Sequence, residues 1–129
     1  MNIGLGGRRR TILLVDSDPH ARAVLRNALE VAGFTVGEAA NAREGERTVV
    51  RIRPDAILTD LIMEGVDGGT MAERLKQVGS RIPIYIVSNA ADALTGSVGL
   101  HELGLSGVFL KPADAVIVIQ TLKTRLGVS

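Results

Sequence analysis

Pro54-Asp55-Ala56-Ile57-Leu58-Thr59-Asp60 is a short apolar run that opens on proline and aspartate and closes on a second acid. An unbroken apolar stretch of this length, bounded by turn formers, has the character of a strand buried on both faces of a parallel sheet. Leu61 to Gly68 follows, and its glycines announce a loop. A carboxylate at the carboxyl end of a central parallel strand stands where open α/β sheets bind their ligands. Aspartate is also a common turn former, so Asp60 alone is either a reactive acid or a cap on the next turn.

Upstream, Thr11 to Val15 is an apolar, β-branched strand that ends in Asp16-Ser17-Asp18. Asp18-Pro19 has the form of a helix start, an acidic N-cap followed by proline at the first helical position. Ala21, Val24, Leu25, Ala28, Leu29 and Ala32 recur at three and four residues and give that helix one apolar face, with Gly33 as its stop. Phe34 to Ala39 is a second, weaker strand. Asn41 with Glu44 three residues on resembles a capping box. It opens a helix over Ala42 to Arg51 with a thin apolar face of Val49 and Ile52, and Val50 at its margin.

Downstream of Asp60, a helix carries Met71, Ala72, Leu75 and Val78 on one side. Ile82 to Val87 is a fourth strand ending in Ser88-Asn89. Ala90 to Leu103 reads as a helix weakened by Gly96 and Gly99, at roughly 1 kcal/mol each relative to alanine. Gly107 to Leu110 is a fifth strand ending in Lys111-Pro112. The last helix, Asp114 to Leu126, includes the run Val116-Ile117-Val118-Ile119, apolar nearly all round. Five strands, each followed by a helix, predict an α/β fold with a doubly wound parallel sheet, in the flavodoxin-like strand order 2-1-3-4-5 with five helices.

The 129 residues fit one domain: a lead over residues 1–10, basic at Arg8-Arg9-Arg10, then a folded unit over 11–129. Aromatic residues make up only 2% of the chain, so the core is built from Val, Leu, Ile and Ala. A net charge of +1 gives no reason to expect direct nucleic-acid binding or an anionic membrane as partner. No cysteine is present, which excludes disulfides and thiolate metal sites and suits a cytoplasmic location. No apolar stretch approaches the ~20 residues of a membrane span. The glycines of the lead precede a strand and no Gly-Lys-Ser/Thr follows, which excludes a phosphate loop.

With the strands in that order, four neighbouring strand ends bring Asp16 (with Ser17 and Asp18), Asp60, Ser88 and Lys111 to one edge. Carboxylates a few ångströms apart repel unless a cation stands between them. Lys111 supplies one positive charge and a hard divalent ion supplies more. Magnesium fits, because it is held by one or two carboxylates and keeps hydrated positions for phosphate oxygens. A carboxylate beside magnesium, an ammonium and a hydroxyl is equipped for phosphoryl transfer, with the carboxylate attacking in line.

The chain resembles the receiver domain of bacterial two-component response regulators, the family of the chemotaxis regulator. The motifs that carry the resemblance are Ile12-Leu-Leu-Val-Asp16-Ser-Asp-Pro19, Pro54 to Gly68, Ile82-Pro-Ile-Tyr-Ile-Val-Ser88 and Gly107-Val-Phe-Leu-Lys111-Pro112. The resemblance implies that Asp60 accepts a phosphoryl group from a sensor histidine kinase or phosphotransfer protein. It further implies that Asp16, Asp60 and the backbone carbonyl of Ile62 arrange Mg2+, with Ser17 and Asp18 beside them, and that Ser88 and Lys111 hold phosphoryl oxygens. Such a domain is a signalling domain rather than an enzyme, and it would signal to a downstream protein partner through its fourth helix, fifth strand and fifth helix.

Four positions depart from the family pattern. Ser17 stands where a second consecutive acid is usual, so weaker magnesium affinity is expected. Glu64 replaces a common proline and adds an acid at the pocket rim. Asn89 is bulkier than the usual alanine or glycine. Val108 takes the place of the switch aromatic, and Phe109 next to it is expected on the opposite side of the strand. These departures leave a second reading, a degenerate receiver that acts as a phosphorylation-independent interaction module. A phosphatase of the haloacid dehalogenase type matches Asp16-Ser17-Asp18, but it needs a pair of acids downstream of its lysine and only Asp114 follows Lys111. The length leaves no room for an effector domain, so a stand-alone or excised receiver is expected. The apolar start of the last helix is expected to form a homodimer or partner face.

Overall fold

In the computed structural model residues 9–61, 67–88, 104–111 and 113–129 are described. The elements are β1 (Thr11–Val15), α1 (Pro19–Val31), β2 (Thr35–Ala39), α2 (Ala42–Ile52), β3 (Ala56–Thr59), α3 (Gly68–Gln77), β4 (Ile84–Ser88), β5 (Gly107–Leu110) and α4 (Ala115–Leu126). The helix expected over Ala90 to Leu103 lies outside the described residues. All five strands are parallel in one sheet, ordered β2-β1-β3-β4-β5, as the alternation predicts. Among the described residues, no helix is long and apolar enough to cross a membrane.

Alternation along the strands divides the core into two layers. Leu13, Val15, Ile57, Ile84 and Ile86 face one way, toward Val49 of α2 and Met71, Ala72 and Leu75 of α3. Ile12, Leu14, Leu58, Tyr85 and Val87 face the other way, toward Leu29 of α1 and Val118 and Leu122 of α4. Val108 packs in the first layer and Phe109 in the second, where its ring stacks on Tyr85 at 5.5 Å between centroids. The side chains of central strands are thus buried on both faces, which is why β3 and β4 read as unbroken apolar runs.

Each described helix begins on a side-chain cap at the carboxyl edge of the sheet. Asp18 accepts from the His20 N–H, Asn41 from Glu44, Asp67 from Thr70 and Asp114 from Val116. Caps of this kind are worth about 1 kcal/mol each and fix where the helices start. Arg10, assigned to the lead from sequence, has its carbonyl bonded to the Thr35 N–H at 3.0 Å, one residue before β1.

Three valines expected on buried helix faces are exposed instead: Val24 at 61%, Val50 at 78% and Val78 at 80%. In α2 the buried positions are Ala42, Gly45, Thr48 and Val49. Small side chains let that helix approach Val15 and Met71, leaving Val50 on the outer side. Val78 caps the end of α3, where the chain has already left the helical face.

Arg53 ends α2 in the left-handed region, with φ 48° and ψ 66°, where a side chain is disfavoured and glycine is not. Arg53→Gly is therefore expected to raise stability by up to about 1 kcal/mol, measured as a higher urea midpoint with an unchanged slope.

Candidate functional site

Strand register puts the chemistry at one place. Val15 pairs with Thr59, so Asp16 and Asp60 leave adjacent strands side by side. The Asp60 N–H donates to the Val15 carbonyl at 2.8 Å, which holds that step in place. On the other side, Ser88 pairs with Leu110, and the Lys111 N–H donates to the Ser88 carbonyl at 3.1 Å.

The Lys111 side chain reaches back across this edge. Its Nζ lies 3.0 Å from Asp60 Oδ2 and 3.4 Å from Asp16 Oδ2. All three side chains are mostly covered, at 25% exposure for Lys111 and 14% for each aspartate. Burial by itself would pull the Lys111 ammonium down. The hydrogen bond to Asp60 and the charges of Asp16 and Asp60 outweigh it and hold the ammonium above its ordinary value. Ser88 is buried, at 1% exposure, on the last residue of β4. A cavity of about 410 Å³ opens beside the group, walled by Ala21, Val24, Leu25, Val87, Ala113 and Ala115, with Asp16 and Lys111 in its lining.

The residues around Asp16 and Asp60 are held by their backbones. Asp16 Oδ1 accepts the Asp18 N–H at 2.9 Å, while Asp18 Oδ1 caps α1. Ser17 is exposed. The Asp60 carbonyl accepts the Thr59 hydroxyl at 3.0 Å. Gly68 lies against the same carbonyl, where an added Cβ would fall 2.3 Å from the oxygen. Only glycine permits α3 to begin this close. Gly68→Ala is expected to destabilise the fold by about 1–3 kcal/mol through overpacking, seen as a lower unfolding midpoint. Ile62, Glu64 and Asn89 lie outside the described residues.

Two carboxylates against one ammonium leave a net charge of −1 (−2 + 1) at a mostly covered site. That donor set suits a magnesium ion held by two carboxylates with water in its remaining positions. Asp16 and Asp60 would hold it, and it would neutralise charge on incoming phosphate oxygens. Among the described residues no cluster of three or more His, Cys, Asp or Glu side chains is placed to hold a metal ion.

Two contributors escape a reading of the sequence. Thr59 is buried and holds the Asp60 carbonyl, but as part of an apolar run it looks like core. Arg22 donates from Nη1 to the Asp16 carbonyl and from Nε to Glu38 Oε1 at 3.0 Å. Its one available signal is position: a side chain in the first turn of a helix leans back over the helix start.

Comparison with known proteins agrees with this fold. Residues 12–123 match the family model described as the response regulator receiver domain. The chain is 30% identical over 98% of its length to the transcriptional regulatory protein PrrA of Mycobacterium leprae, covering 54% of that protein. It is 32% identical over 91% of its length to the phosphate regulon transcriptional regulatory protein PhoB of Pseudomonas aeruginosa, covering 52% of it. The chain thus spans about half the length of these curated relatives. Among solved structures, a CheY-like receiver domain protein from Methanospirillum hungatei superposes with a TM-score of 0.85 at 23% identity, over 93% of this chain and 95% of that one, a likeness of fold. With the family motifs meeting at one edge of the sheet and the match running nearly end to end, this chain belongs to the response regulator receiver domain family.

Proposed function

We propose that Asp60 is the phosphoryl acceptor of this receiver. An Asp60 carboxylate oxygen forms a bond to phosphorus in line as the bond to the donor's imidazole nitrogen breaks, and the leaving imidazole takes up a proton from solvent. The donor is a sensor histidine kinase or a phosphotransfer protein. Lys111 pairs with the equatorial oxygens as they crowd the carboxylate, and Ser88, at the end of the neighbouring strand, takes another. Asp16, Asp60 and the Ile62 carbonyl would hold Mg2+, which when bound would supply positive charge against the transferring group. The observation that carries this is the Lys111 ammonium lying on both the Asp60 and Asp16 carboxylates.

Readout is assigned to the face that includes β5 and α4, where Leu110, Val116 and Ile117 are exposed at 60%, 61% and 53%. That apolar surface fits a downstream protein partner or a second copy of the chain. A second reading, an interaction module that works without phosphorylation, draws support from Ser17, which leaves the site one acid short, and from Asp18, whose carboxylate is engaged at the helix cap.

Incubation with a small phosphodonor and Mg2+, followed by intact mass, tests the proposal. An acid-stable, base-labile adduct is expected, retained in Asp18→Asn. No adduct, even at high magnesium, would favour the interaction module.

A further inference from the structure

The contacts of Arg22 tie the acid site to the edge of the sheet. Its guanidinium spans two partners on different strands: Nη1 donates to the Asp16 carbonyl at the end of β1, and Nε to Glu38 Oε1 on β2. The Arg22 side chain is 17% exposed and Glu38 is 27% exposed, so the pair is largely shielded from water. Glu38 is gripped from a second side by Arg26, which also pairs with Glu30 at 3.4 Å. Arg22 lines the space that holds Asp16, Thr59 and Asp60. Its contact to the Asp16 carbonyl constrains the peptide plane that leads into Ser17, in the same turn where Asp16 Oδ1 accepts the Asp18 N–H.

We infer that Arg22 is a positioning residue: anchored on Glu38, it fixes the Asp16 peptide so that the Asp16 carboxylate is held beside Asp60 for divalent-cation binding. This rests on the assignment of Asp16 and Asp60 as the magnesium-holding carboxylates. The role depends on the planar fork of arginine, which serves two acceptors at a fixed angle. A lysine carries the same charge on one point and cannot span them. Removal of Arg22 leaves Glu38 paired with Arg26, so the variant strands no buried carboxylate.

The test is Mg2+ affinity by calorimetry on the full chain, for Arg22→Gln, Arg22→Lys and Glu38→Gln. Supporting residues around metal ligands typically carry 10- to 100-fold in affinity, so Arg22→Gln is expected to weaken binding by about that factor. Arg22→Lys should weaken it nearly as much, and Glu38→Gln, which loosens the anchor and leaves Arg22 in place, by less. Full rescue by lysine would overturn the inference, because charge alone would then suffice. Unchanged affinity in Arg22→Gln would overturn it too, and if the Arg22 variants fail to fold, unchanged affinity in Glu38→Gln does the same. An unmodified chain that takes up no magnesium would overturn the underlying site assignment, and this inference with it.

Discussion

Lys111→Ala is expected to slow adduct formation at Asp60 by about two to three orders of magnitude, the usual loss on deleting one preorganised donor to a charge that develops in the transition state. Nothing else among the described residues brings a cation to both carboxylates: Nζ sits 3.0 Å from Asp60 and 3.4 Å from Asp16. Without it the two acids face each other and repel an incoming phosphoryl group. The pH dependence follows from the direction of the Lys111 shift. Its folded value lies above the ordinary one, so its contribution to stability is fully present below the unfolded value and is lost only as pH rises through the folded one. With the unfolded value at about 10.4, the rate should show no Lys111 titration between about pH 7 and 9. A break in the pH–rate profile in that window, absent from Lys111→Ala, would contradict the assignment.

Ser17→Asp is expected to tighten Mg2+ binding about tenfold, and Asp16→Asn to weaken it by at least as much. Ser17 is exposed at the rim, next to a site whose net charge is −1. One added carboxylate there contributes a Coulomb term of a few kcal/mol before screening, of which ~1.4 kcal/mol, a factor of ten, survives at a half-open position. Raising the salt concentration should shrink the gain. Titration with Mg2+ at low and moderate salt measures both. Equal affinity in Ser17→Asp and the unmodified chain would show that this position does not face the ion.

Much of this site was legible in the sequence because parallel strands end where their apolar runs end. Val15, Thr59, Val87 and Leu110 each precede a polar residue, and the strand order then brings those residues together. Helix starts were legible for a similar reason, since Asp18, Asn41 and Asp114 cap through their own side chains. Helix faces were less so. In α2 the inner side is made by Val49 together with Ala42, Gly45 and Thr48, which carry little hydrophobic signal, while Val50, at the margin of the apolar face, points out. Contacts to backbone carbonyls are the hardest to read from sequence: Gly68 and Thr59 on Asp60 depend on where the main chain turns, and Arg22 on Asp16 is signalled only by its place in the first turn of α1.

The central claim is that Asp60 carries the phosphoryl group. After incubation with a small phosphodonor and Mg2+, peptide mapping under acidic conditions should find one base-labile adduct, on the peptide that contains Asp60, and Asp60→Asn should show none. An adduct that persists in Asp60→Asn, or that maps to Asp16 or Asp18, would contradict the account.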